Sequence, residues 1–181
     1  MKKPFLSIIV GSLPLFLSFS LFAQSEKTIL VSPCDNQSIH KQADSVKHLL
    51  ADGGFSVLRE ASITMESEYE IPIIVPMNEG SSYQFVFIGD VKSNMYEVRM
   101  YDYKEKQVVY QKKKWGDADG NIISYSYIPK MSEYHMIKPL QVNSGQKKNL
   151  CGYVMLFKKM ETTAKASNNW IFEVLETELR V

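Results

Sequence analysis

The chain has 181 residues, 45% hydrophobic and 23% charged, which suits one domain with a sizeable core and excludes an intrinsically disordered protein. Its 21 Lys and Arg against 20 Asp and Glu create no global field, which argues against nucleic acid or an anionic membrane surface as principal partner. Ten Tyr and nine Phe tilt the composition toward β structure, because aromatic side chains fit the half-buried surface of a strand.

At the N-terminus Lys2 and Lys3 precede an apolar run over 5–22, which ends at Ala23 and gives way to Gln24, Ser25, Glu26 and Lys27. A basic start, an apolar stretch and a small residue at the junction form the pattern of a secretory signal peptide, 1–23, cleaved after Ala23. The competing reading is an uncleaved anchor with Pro14 in its middle. Cleavage removes two lysines, leaving 19 basic against 20 acidic residues and no segment for stable membrane insertion. The first cysteine, Cys34, follows Pro33 well past the apolar run, which is not the setting of a lipid acceptor. The expectation is an exported protein, periplasmic or extracellular.

An N-terminal segment over 24–54 follows, with a short apolar stretch at 28–31 and then one amphipathic helix. Asn36 or Ser38 caps it, Ile39, Ala43, Val46 and Leu50 form its apolar stripe, and Gly53 with Gly54 ends it. From Phe55 the period changes to two, as strands require. Phe55, Val57, Ala61, Ile63 and Met65 alternate with mostly polar neighbours, and the break at Leu58 and Arg59 marks a bulge. The segment 71–77 carries Pro72 and Pro76, which lack donors, and so suits an edge strand or one whose proline positions face away from a partner.

The stretch 82–103, SYQFVFIGDVKSNMYEVRMYDY, reads as two adjacent strands. Phe85 and Phe87 share one face of the first while Val86 and Ile88 share the other, so both faces call for burial. In the second, Tyr96, Val98 and Met100 alternate with Glu97, Arg99 and Tyr101, which predicts one buried and one wet face. A turn at 104–106 folds the chain back as a hairpin into a strand over 107–115, and a Gly/Asp-rich turn at 116–121 leads to a strand over 122–128. Further strands are expected over 134–142 and 150–158. Regular strands behind a single helix predict a mainly β, antiparallel, jelly-roll-like β-sandwich over 55–158. The remaining 159–181 reads as linker and tail, and WIFEVLETELRV fits strand and helical spacing equally.

Several residues are candidates for chemistry. His40, Asp44 and His48 stack at intervals of four on one helix face, a donor set suited to zinc or copper, although polar residues belong on that face anyway. Asp117, Asp119 and Asn121 with Gly120 resemble the core of a calcium loop. In the full register of such a loop, however, Trp115 and Ser126 stand where key carboxylates belong. Cys34 and Cys151 either pair across a long loop or stand as two separate buried thiols. Nothing local marks either thiol as activated by His135. There is no nucleophile elbow, no zinc-protease helix and no phosphate loop, so no catalytic residue, metal or cofactor is assigned.

Surface recognition is the remaining class. Arg99, Tyr101, Tyr103, Tyr110, Lys112 and Trp115 cluster in the middle strands, where outward rings stack on sugars or anchor a protein and lysines serve the rim. Tyr125 and Tyr127 belong to the same aromatic group, and the competing reading is that such tyrosines line the core.

Within this pattern, Gly80, Tyr83 and Phe85, then Tyr96, Val98, Met100 and Asp102, then Pro129 with Tyr134, resemble the secreted β-sandwich domains of the pre-peptidase C-terminal type. Ser132 and Glu133 stand where that family has a Gly. The resemblance covers about residues 70–158 and implies a non-catalytic accessory or binding domain, with no ligand residue carried over. The resulting expectation is an exported binding module for a protein or glycan. The alternative is a secreted, glycan-directed hydrolase whose carboxylates come from separate strands.

Overall fold

The computed structural model describes residues 32–114, 116–117 and 120–160. The expected leader, the segment at 28–31, the tail from 161, Trp115 and Asp119 lie outside the described residues. One helix, α1 (Gln37–Asp52), precedes the strands β1 (Phe55–Met65), β2 (Ile73–Met77), β3 (Tyr83–Ile88) and β4 (Met95–Tyr101). These are followed by β5 (Gln107–Lys114), β6 (Ile122–Tyr127), β7 (Glu133–Val142) and β8 (Leu150–Lys159). They form two four-stranded sheets, ordered β1-β8-β3-β6 and β2-β7-β4-β5, with every pair antiparallel. This is the jelly-roll order of an antiparallel sandwich.

The local reasons match the sequence. Asn36 caps α1 by accepting from the backbone N–H groups of Ser38 at 3.0 Å and Ile39 at 3.3 Å. Just beyond the helix, Gly54 adopts φ +79°, a conformation open to glycine. Ile39 and Ala43 are buried, with Val46 and Leu50 beside them, against Val86, Tyr153, Met155 and Phe157 on the outer face of the first sheet. This explains the two apolar faces of β3, since Phe85 and Phe87 enter the core between the sheets while Val86 and Ile88 lie under α1. The bulge in β1 falls between Val57 and Arg59, and β2 with Pro76 is an edge strand. Cys34 and Cys151 are joined as a disulfide, with Cα atoms 5.6 Å apart. Residues 32–54, the described part of the expected N-terminal segment, are thereby tied to the strand β8.

Two buried polar clusters fix how the sheets meet. Gln141 accepts from the Asp90 N–H at 2.8 Å and the Ser93 hydroxyl at 3.0 Å, and donates to the Cys151 carbonyl at 3.1 Å. Beside it the Tyr96 hydroxyl lies 2.8 Å from the Asp90 carbonyl and 2.9 Å from that of Ser93. The Tyr96 ring occupies the space a side chain at Gly89 would need. The second cluster is His135, fully buried, with Nε2 3.2 Å from the Tyr127 hydroxyl and 3.5 Å from a Glu133 oxygen.

Burial, and secondarily the Asp90 carboxylate, push the Tyr96 phenol up to about 12. A folded value above the unfolded one near 10 makes this contribution complete below pH 10 and lost as pH rises through 12. We therefore expect the urea midpoint to fall between pH 10 and 12, with Tyr96 alone accounting for about 2 kcal/mol. Tyr96→Phe should flatten that decline, and a midpoint indifferent to pH, or equally steep in the variant, would contradict the assignment.

Candidate functional site

The outer face of the first sheet is covered by α1, whereas that of the second sheet has no helix over it among the described residues. Strand parity places Met95, Glu97, Arg99 and Tyr101 of β4 on that open face. Register brings Lys138 of β7 opposite Arg99 on one side and Tyr110 of β5 opposite it on the other. One step along, Leu140 and Lys112 flank Glu97, and in the other direction Met136 flanks Tyr101. The far side of β7 is bordered by the segment before β2, held by Glu68 N–H donating to the Gln141 carbonyl at 2.9 Å and Ile71 N–H to Pro139 at 3.2 Å. That pairing delivers Tyr69 and Glu70 to the same face.

The charged groups satisfy one another across this grid. Arg99 donates to Glu70 at 2.8 Å and also contacts Glu97 through its second terminal nitrogen. Lys138 Nζ lies 3.3 Å from the other Glu70 oxygen and 5.2 Å above the Tyr101 ring. The Tyr110 hydroxyl donates to Glu97 at 3.3 Å, with Lys112 Nζ 3.9 Å away. Burial works against the charge of Arg99, but the Glu97 and Glu70 carboxylates outweigh it and raise its pKa above the usual guanidinium value. Desolvation, and then the negative charge of Glu97, raise the Tyr110 phenol.

The wet face expected on β4 is therefore only half right. Glu97 is 3% exposed despite pointing outward, because Arg99, Tyr110 and Lys112 close over it. Arg99 and Tyr101 are half-buried, and Tyr110 is exposed. Tyr103 stands apart at the hairpin tip with Lys104 Nζ 5.4 Å from its ring, beside a separate hollow that Tyr127, Met131 and Glu133 also line. Trp115, the remaining member of the expected set, lies outside the described residues. Tyr125 is buried and Tyr127 half-buried against the core, the bland reading of both. Sequence reasoning missed Tyr69, Glu70 and Lys138, and the exposed Tyr134 on β7, because a loop and a late strand bring them to the site.

The metal candidates do not assemble. Among the described residues no group of three or more His, Cys, Asp or Glu is placed to hold a metal ion. His40 packs edge-on against Tyr153 at 5.4 Å, while Asp44 pairs with Lys47 at 3.0 Å and that lysine lowers its pKa. In the 116–121 turn, Asp117 accepts from the Lys114 N–H. Asn121 turns inward to donate to the Gly89 carbonyl and exchange hydrogen bonds with Gln42 of α1, so its amide faces the helix and not a cation. Neither cysteine is available as a thiolate for His135, since both are in the disulfide.

No family model matches the sequence, and no curated protein matches it. Among solved structures the chain is similar to one described as "CBM4 structure and function", at 15% identity over 59% of this chain and 79% of that one, with TM-score 0.38. It is also similar to the structure of the infectious bursal disease virus Gx strain, at 10% identity and TM-score 0.34 over 60% of this chain and 33% of that one. A third is the Clostridium thermocellum xylanase 10B CBM22-1-GH10 modules complexed with xylohexaose, at 12% identity and TM-score 0.31 over 64% and 28%. The chain spans a third or less of the latter two, and at these values none of the three bears on function.

Proposed function

We propose that this is a non-catalytic binding domain that recognises a glycan on the open face of the β2-β7-β4-β5 sheet. The observation that carries the reading is the row Glu70, Lys138, Arg99 and Tyr110 across four adjacent backbone segments, with the Tyr101 ring beside it. Their polar atoms are held by one another, so donors and acceptors are pre-positioned and little ordering entropy remains to be lost on binding. Half-exposed tyrosine rings offer flat apolar surfaces to the carbon face of a sugar, and the flanking charges meet its hydroxyl groups. A protein interface would favour a more apolar centre than this face provides.

Binding rather than catalysis is also what the resemblance to pre-peptidase C-terminal domains implies. Glu70 and Glu97, the carboxylates of the face, are both tied to Arg99, an arrangement that suits neither for delivering a proton to a leaving group. The disulfide supports action in an oxidising compartment outside the cytoplasm.

Affinity electrophoresis of the purified protein through a panel of soluble polysaccharides tests the reading. At least one should retard it, and Tyr101→Ala and Tyr110→Ala should each weaken that interaction about tenfold, corresponding to roughly 1.4 kcal/mol, with melting temperature little changed in Tyr101→Ala. Retardation unaltered in both variants would remove this face from consideration, and release of reducing sugar would move the protein to the hydrolases.

A further inference from the structure

A second site lies between the sheets, where the edge strands β1 and β2 part. After the bulge, the inner face of β1 carries Arg59, Ala61, Ile63 and Met65 in alternate positions. Ile63 and Met65 are buried in the core between the sheets, but Ala61 and Arg59 are exposed. There the sandwich opens into a cleft of about 320 Å³, within the range of small-molecule sites. Its walls are apolar: Ala61, Phe85 and Leu156 from one sheet face Ile73, Val75 and Ile137 from the other. Exposed Val57, Leu58 and Ile74 lie on the same two edge strands.

Two charged residues, Arg59 and Glu60, border the mouth, and they differ in whether their charge is already engaged. Arg59 makes no ion pair or side-chain hydrogen bond among the described residues, and its parity turns it toward the cleft. The adjacent Glu60 also lines the cleft, but its carboxylate is engaged, with Lys47 Nζ 3.2 Å away and the Tyr153 hydroxyl donating to it at 3.0 Å. An unpaired guanidinium therefore stands over an apolar slot, and the carboxylate next to it in sequence is held by Lys47 and Tyr153. A guanidinium binds a carboxylate through two parallel hydrogen bonds, and apolar walls favour a hydrocarbon chain. We infer that the cleft takes a fatty acid, its chain between the sheets and its carboxylate on Arg59.

The test is calorimetric titration of the purified protein with dodecanoate below its micellar concentration, with dodecanol as the uncharged counterpart. Saturable binding of one dodecanoate per chain is expected, stronger than that of dodecanol. Arg59→Gln should weaken dodecanoate at least about tenfold and erase the preference over dodecanol. Ala61→Trp should fill the mouth and abolish binding of both. Arg59 and Ala61 are exposed, so both variants should fold, which a thermal melt checks. Tyr101→Ala should leave dodecanoate binding untouched, which separates this site from the glycan face. Absence of saturable binding, or binding unchanged in Arg59→Gln and Ala61→Trp, overturns the inference. So does a dimer that Ala61→Trp dissociates while dodecanoate does not bind, since the cleft would then belong to a second copy.

Discussion

Replacing both cysteines, Cys34→Ala with Cys151→Ala, should lower the stability of the domain by about 4 kcal/mol, the largest single effect expected here. The bridge spans a sequence separation of 117, so without it the unfolded chain regains the freedom of a very long loop. The folded state loses something as well. Cys34 packs beside the cluster under α1, its N–H donates to the Ser62 hydroxyl at 3.0 Å, and that hydroxyl donates back to the Cys34 carbonyl. Freed from Cys151, residues 32–36 depend on such contacts alone to hold the start of the helix to the sheet. A thermal melt should show a drop of more than about 10 °C, reproduced in the unmodified protein by a reductant. An equal melting temperature with and without reductant would show that the bridge contributes nothing.

The second large effect is expected at Arg99. Arg99→Ala should cost about 2–3 kcal/mol, far more than an ordinary surface substitution, because it leaves Glu97 buried beside a weaker cationic partner. Lys112 at 3.9 Å and the Tyr110 hydroxyl at 3.3 Å remain, which keeps the loss below that of a fully orphaned charge. Removing both charges together, Glu97→Leu with Arg99→Met, should cost less than Arg99→Ala alone, since no unpaired carboxylate then stays out of water. Urea midpoints of the single and double variants decide it. If Arg99→Ala lies within about 0.5 kcal/mol of the parent, Glu97 is better solvated than its burial indicates.

Glu97 also shows where sequence reading stopped. Alternation in β4 assigned its side chain to the outer face correctly, but parity says which side a residue points to and not what covers it there. Cover came from Tyr110 and Lys112 through the hairpin, and from Arg99 two residues along. β3 was more legible, because apolar residues on both faces demand burial on both, and α1 supplied the second cover. The helix, its Asn36 cap, the bulge by Leu58 and the edge position of β2 were likewise local signals with local causes. Tyr69, Glu70 and Lys138 had no such signal. They reach the site through long-range pairing of the 66–71 segment with β7, which depends on the order of strands in the sheet. The metal candidates failed for a related reason: spacing placed His40, Asp44 and His48 on one helix face, while Tyr153 and Lys47 had already engaged two of them.

The order of the strands also bears on how the chain folds as it is made. β8 lies between β1 and β3, so β1, formed by residues 55–65, has no partner until residues 150–159 exist. β7 holds the same position between β2 and β4. A growing chain that has reached residue 130 can close the β4-β5 hairpin and pair β3 with β6, but neither sheet is whole and α1 lacks the β8 surface it rests on. Folding dominated by such distant pairings is slow, and it waits for the C-terminal strands. A truncation before residue 150 should therefore leave no smaller stable core, because β1 and β3 would both be without the strand between them that completes their sheet.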